Sequence, residues 1–107
     1  MGDRLSGPVY LTISAVNLFG ASGDRQWVKQ VHIVNTDSSN HTFSLYVSAG
    51  TGDTTSGTEL AKDVVVPAKS YVDLWFPAGM SVLDTEFLVA TADADNKLVA
   101  TVIGKYA

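Results

Sequence analysis

Short runs rich in Val, Ile, Thr, Tyr and Phe fill this chain, separated by clusters of Gly, Pro, Asp, Asn and Ser, and helical periodicity is nearly missing. That pattern restricts the chain to folds made of short antiparallel strands. The first run is Val9 to Val16, where Val9, Leu11, Ile13 and Ala15 share a face at period two. The second spans Arg25 to Asn35, with Trp27, Val31 and Ile33 on one side and Gln30 and His32 on the other. Asp37, Ser38, Ser39 and Asn40 make a polar turn whose side chains can bond their own backbone. Beyond it His41 to Ala49 alternates cleanly, Phe43, Leu45, Val47 and Ala49 against Thr42, Ser44, Tyr46 and Ser48. The stretch from Arg25 to Ala49 therefore reads as an antiparallel hairpin.

Gly50 to Thr58 has no periodicity and reads as a long loop. Two apolar-Pro-Ala units follow, Val66-Pro67-Ala68 and Phe76-Pro77-Ala78. Proline lacks a ladder donor, so each unit predicts the end of a strand and the start of a turn. Between them Val72, Leu74 and Phe76 share one face, and Tyr71, Asp73 and Trp75 the other. A final hairpin is predicted from Glu86–Ala92 and Lys97–Tyr106 around the turn residues Asp93, Ala94, Asp95 and Asn96. Phe87, Leu88, Val89 and Ala90 are all apolar, which predicts burial on both faces, in a central strand or at a subunit contact.

Turn spacings of roughly 8–12 residues predict an all-β fold. It is a single antiparallel β-sandwich of about seven to eight strands, jelly-roll or immunoglobulin-like. Val31, Ile33, Phe43, Leu45, Val47, Val72, Leu74, Phe76, Leu88 and Val102 are its expected core. The 107 residues suit one domain. Residues 1–8 hold few apolar side chains and two glycines, which predicts a flexible N-terminal arm ahead of a sandwich domain over 9–107. Such an arm can add its backbone to the sheet edge of a neighbouring copy.

With 46% hydrophobic and 17% charged residues the chain is not of the disordered class. Seven Lys and Arg against eleven Asp and Glu give a net charge of −4, opposite to what phosphate-binding needs, so nucleic acid is not an expected partner. Cysteine is absent, which excludes disulfides, thiolate metal sites and a cysteine nucleophile. No run of about 18 apolar residues occurs, and Met1 to Pro8 has no apolar signal region. A soluble protein with no membrane partner and no cofactor is expected.

Catalysis would have to use His32 or His41, the two histidines, yet no Gly-x-Ser-x-Gly elbow accompanies them. Ordinary surface roles outweigh a catalytic one, and no enzyme is expected. Asp93, Asp95 and Asn96 supply oxygens that could face Ca²⁺, but they lack the Gly and distant Glu of an EF-hand loop, and a turn explains them as well. Asn40-His41-Thr42 matches a glycosylation sequon. The informative residues are aromatic. If Val72, Leu74 and Phe76 face the core, then Tyr71 and Trp75 face outward with Asp73 between them, and Tyr46 also points outward. Tyr46, Tyr71, Asp73 and Trp75 are thus candidate protein-interaction residues. A covering segment or a stacked glycan are the other uses of such rings.

One pattern is more specific. Trp27-Val28-Lys29-Gln30-Val31-His32-Ile33-Val34-Asn35-Thr36-Asp37, followed by Thr42-Phe43-Ser44-Leu45-Tyr46-Val47, resembles small β-sandwich virion structural proteins of tailed bacteriophages. The strand before Pro67-Ala68, the segment from Met80 to Asp84 and the closing strand Leu98 to Gly104 continue the resemblance. The chain departs from the pattern at Gly50–Thr58 and at Met1–Pro8. The resemblance implies a capsid decoration (cement) protein binding the outer shell, or a tail or neck accessory protein. It further implies a homo-oligomer, with a trimer favoured. The expected partners are the phage major capsid protein or tail and neck proteins, and the expected location is the virion, assembled in the host bacterial cytoplasm.

Overall fold

In a computed structural model, described over residues 3–20, 26–48, 59–82 and 86–106, the chain is all-β. Eight strands are present among the described residues: β1 (Asp3–Tyr10), β2 (Val16–Gly20), β3 (Gln26–Asn35), β4 (His41–Ser48), β5 (Glu59–Val66), β6 (Tyr71–Val82), β7 (Phe87–Ala92) and β8 (Leu98–Tyr106). They form two four-stranded antiparallel sheets, ordered β1-β8-β3-β6 and β2-β7-β4-β5. The pairs β4–β5, β3–β6, β2–β7 and β1–β8 nest inside one another, as in a long ribbon folded in half and rolled up. This is jelly-roll topology, which decides between the two sandwich types expected.

Alternation predicted the strands better than their partners. β3 and β4 lie in different sheets, as do β7 and β8, so both expected hairpins are in fact crossovers between layers. Among the described strands, only β4 and β5 are both consecutive and paired. The reason is burial. Phe43 and Leu45 of β4 and Val31 and Ile33 of β3 are all fully buried in one cluster, so the two strands face each other across the core. Strands that shared a hairpin would place those residues side by side on one face instead.

The expected first strand, Val9 to Val16, is also redrawn. Its pairing ends at Tyr10, and residues 11–15 form a crossover in which Leu11 is buried while Ile13 is 63% exposed. The expected free arm over 1–8 differs too. From Asp3 onward it is strand β1, laid along β8 of the same chain with Asp3 opposite Gly104 and Arg4 opposite Ile103; residues 1 and 2 lie outside the described set. The register slips between Ser6 and Val9, where Gly7 takes φ +87° and the carbonyl oxygen of Ala100 lies too close to leave room for a Cβ. Only glycine fits there. Ala49 and the expected loop Gly50–Thr58 lie outside the described residues.

Of the two Pro-Ala units, the first behaves as expected. β5 ends at Val66, Ser70 N–H bonds Pro67 O at 3.2 Å, and Lys69 takes φ +56°. The second does not end its strand. β6 continues through Pro77 to Val82 by a wide bulge: Gln30 faces Trp75 and Val28 faces Met80, so four β6 residues lie opposite Lys29 alone. β6 is the edge of its sheet among the described residues, where a missing ladder donor is tolerated. The same irregularity is a bulge on β3 against β8, and it turns Val28 rather than Trp27 into the core.

The core is otherwise the expected one. Val31, Ile33, Phe43, Leu45, Leu88 and Val102 are buried, and Val47, Val72, Leu74 and Phe76 pack against them partly buried. Leu88, Val89 and Ala90 are all buried, as their apolar run predicted, and β7 is central in its sheet.

Four crossovers, 11–15, 36–40, 67–70 and 93–97, meet at one end of the roll and are stitched together. Asn35 is the pin. It is 1% exposed, its Nδ2 donates to Ser39 O (2.8 Å) and Val66 O (3.0 Å), and its Oδ1 accepts from Asp37 N–H (2.9 Å). Ala68 N–H donates to Asn40 Oδ1, Ile13 N–H to Asp95 Oδ1, and Asp93 N–H to Thr42 O. Every crossover at this end is thus tied to at least one other.

Candidate functional site

The pleat of the first sheet sends alternate residues outward, and its register places them in three rows. Trp75, Gln30, Ile103 and Arg4 form one row across β6, β3, β8 and β1. Asp73, His32 and Thr101 form the middle row. Tyr71, Val34, Val99 and Tyr10 form the third. The intervening residues, Val31, Ile33, Ala100 and Val102, are fully buried on the other side.

Three rings stand at the corners of this face: Tyr10 is 52% exposed, Tyr71 60% and Trp75 63%. The middle is polar and organised. His32 Nδ1 meets Asp73 Oδ1 at 2.5 Å, and Gln30 Nε2 donates to the same oxygen at 2.7 Å. The imidazole also lies 5.2 Å from the Tyr71 ring, tilted by 39°. These groups come from adjacent antiparallel strands, so the ladder holds their spacing fixed.

Tyr71, Asp73 and Trp75 are therefore brought together as expected from the alternation of β6. Tyr46 is not with them. It belongs to the other sheet, opposite Val89, and is only 4% exposed. Its hydroxyl accepts from Lys62 Nζ at 3.4 Å, a bond that holds the Lys62 ammonium above its usual pKa. Alternation had correctly turned Tyr46 away from the core but could not report that its outward face is covered. Gln30, His32 and Tyr10 were the missed members of the site. Cross-strand register, which only the topology supplies, joins them to it.

The second histidine sits at the stitched end. His41 Nε2 meets Asp37 Oδ2 at 2.7 Å and its Nδ1 meets Asp93 Oδ1 at 2.9 Å, with the side chain 12% exposed. A neutral imidazole has a single N–H, whereas a carboxylate on each nitrogen requires two donors. His41 is therefore the imidazolium. The hydrogen bond to Asp37 is the main cause of its raised pKa, with Asp93 adding to it. The same bond, helped by the Ser38 backbone, lowers that of Asp37. With both ring nitrogens so occupied, His41 is not poised to take a proton from a hydroxyl.

The oxygens considered for Ca²⁺ serve separate ends. Asp93 faces His41, Asp95 accepts from Ile13 N–H, and Asn96 takes the left-handed φ of +58° that a turn requires. A small recess of about 100 Å³ beside Asp93 is lined by Thr42, Ser44, Asp63 and Thr91 among others. No protein-family model, curated protein or solved structure matches the chain.

Proposed function

We propose that this chain is a structural component of a tailed-bacteriophage particle, a capsid decoration protein bound to the outer shell as an oligomer. A tail or neck accessory role is the alternative within the same class. The reading starts from the resemblance carried by Trp27–Asp37 and Thr42–Val47. The observation that supports it is what those residues do in the fold. Val31, Ile33, Phe43 and Leu45 fill the core, Asn35 pins the crossovers, and Asp37 is fastened to His41. The shared pattern is thus a recipe for a rigid block and not for a reacting centre, as a cement protein requires.

On this reading the major capsid protein, or a neighbouring copy, is met along β5. That strand is at the edge of its sheet among the described residues and exposes Val65 (51%) and Leu60 (36%). Edge strands with exposed apolar side chains are prone to pair or pack with other chains. Electron microscopy of purified particles is the test, with the expected result an array of copies over the shell. Density confined to the tail or neck would move the assignment there, and absence from particles would overturn it. Val65→Lys should abolish co-sedimentation with shells while leaving the circular dichroism spectrum unchanged.

A further inference from the structure

The outward face of β1-β8-β3-β6 combines three exposed rings with a polar cluster on β6 and β3 held in place by its own hydrogen bonds. We infer that this face is a carbohydrate-binding platform, shaped for the interior of a neutral polysaccharide chain. The inference is independent of the particle reading, because it concerns the isolated protein.

A sugar ring has apolar C–H faces and an equator of hydroxyls that both donate and accept. A surface that recognises it needs flat rings for stacking and fixed polar groups of both kinds between them. Tyr71 and Trp75 are four residues apart on one strand, about 13 Å at a rise of about 3.3 Å per residue. Tyr71 and Tyr10 are three strand steps apart, about 14 Å at about 4.8 Å each. Asp73 lies between Tyr71 and Trp75 with His32 and Gln30 beside it on β3, while Val34 and Val99 separate Tyr71 from Tyr10. Among the described residues both hydrogen bonds of Asp73 fall on Oδ1, so Oδ2 is left to accept from a ligand hydroxyl, while Gln30 keeps a carbonyl oxygen to accept another. The ring nitrogen of His32 that does not face Asp73 supplies a further polar contact.

The face is not a simple apolar patch: on its inner strands Gln30, His32 and Thr101 alternate with Ile103, Val34 and Val99, and Asp73 stands on β6 between two exposed rings. Rings about 13–14 Å apart span several sugar units, which suits a chain interior over a terminal sugar. Asp73 between the two β6 rings and a net charge of −4 select neutral over anionic polymers.

The test is titration of the full chain with cellohexaose, maltohexaose, xylohexaose and mannan oligomers, with alginate oligomers as the anionic comparison. Amide NMR spectra and tryptophan fluorescence are the readouts. At least one neutral oligosaccharide should shift the signals of His32, Asp73 and Tyr71 and change Trp75 emission, and alginate should not. Tyr71→Ala and Trp75→Ala should each weaken that binding by about tenfold or more. Both residues are exposed, so an unchanged circular dichroism spectrum is expected to accompany the loss. The inference is overturned if no neutral oligosaccharide binds, or if binding survives the double substitution. It is equally overturned if the double variant loses particle binding while the unsubstituted protein binds no sugar, which would make the face a protein contact.

Discussion

Asn35 makes three side-chain hydrogen bonds from a position closed to water, and two of its partners are carbonyls of other segments. Asn35→Leu keeps roughly the volume but leaves Ser39 O, Val66 O and Asp37 N–H without that partner. A buried polar group left unpaired costs about 1–3 kcal/mol. The variant should lose about 2–4 kcal/mol in urea unfolding, allowing for partial relaxation. His41 sets a pH dependence by its two carboxylates. Its raised pKa gives a contribution present below the ordinary imidazole value, about 6.5, and lost as pH rises through the raised one. Asp37, with its lowered pKa, contributes above the ordinary carboxylate value, about 3.9, and loses this as pH falls through the lowered one. The clamp is therefore strongest between about pH 4 and 6.5. Unfolding midpoints measured at pH 5.5 and 8.5, arbitrary points on either side of about 6.5, should fall on going alkaline, and His41→Gln should flatten that difference.

At the level of strands, bulges carry the positions most open to change. Asp63 stands at φ +49° opposite β4, where its N–H donates to Ser44 Oγ at 2.9 Å. An L-residue held in the left-handed region costs about 1–2 kcal/mol, and glycine does not pay it. Asp63→Gly should keep the backbone bond and raise stability by about 0.5–1 kcal/mol, after the entropy glycine loses on folding. A denaturation midpoint shifted the other way would mean the carboxylate does more than occupy the bulge. The strands themselves were legible in the sequence wherever apolar and polar residues alternate, as in His41–Ser48 and Tyr71–Phe76. Their pairing was not. Asp37–Asn40 and Asp93–Asn96 are good turn sequences, and a turn that crosses between sheets asks for the same residues as one that closes a hairpin. The bulge at Lys29 was hidden likewise, since Trp27 and Val28 are both apolar and only the ladder register says which one turns inward. Tyr71, Asp73 and Trp75 could be read because they share one strand, whereas His32 and Gln30 needed the knowledge that β3 lies beside it.

For the molecule as a whole, nested pairing means that contacts distant in sequence dominate, and the outermost described pair joins β1 to β8. Chains rich in such contacts fold slowly, on the order of milliseconds to seconds. The β4–β5 pair is the most local in sequence of the four nested pairs, so it is the natural place for structure to start. Ser44→Ala, which removes the acceptor of the Asp63 N–H, should slow refolding, whereas Val99→Ala on β8 should chiefly speed unfolding. Stopped-flow chevrons of the two variants distinguish this order from one in which the end strands dock first.

The pairing of β1 with β8 has a mechanical consequence. Asp3 lies opposite Gly104, so the two ends of the described chain leave from the same end of one antiparallel ladder. A load drawing them apart falls on that ladder one rung at a time and peels it, whereas a load along the strands would have to break many rungs together. A copy tethered through both ends would open like a zip at modest force, and the grip of this protein on anything it holds is better taken through the body of its sheets.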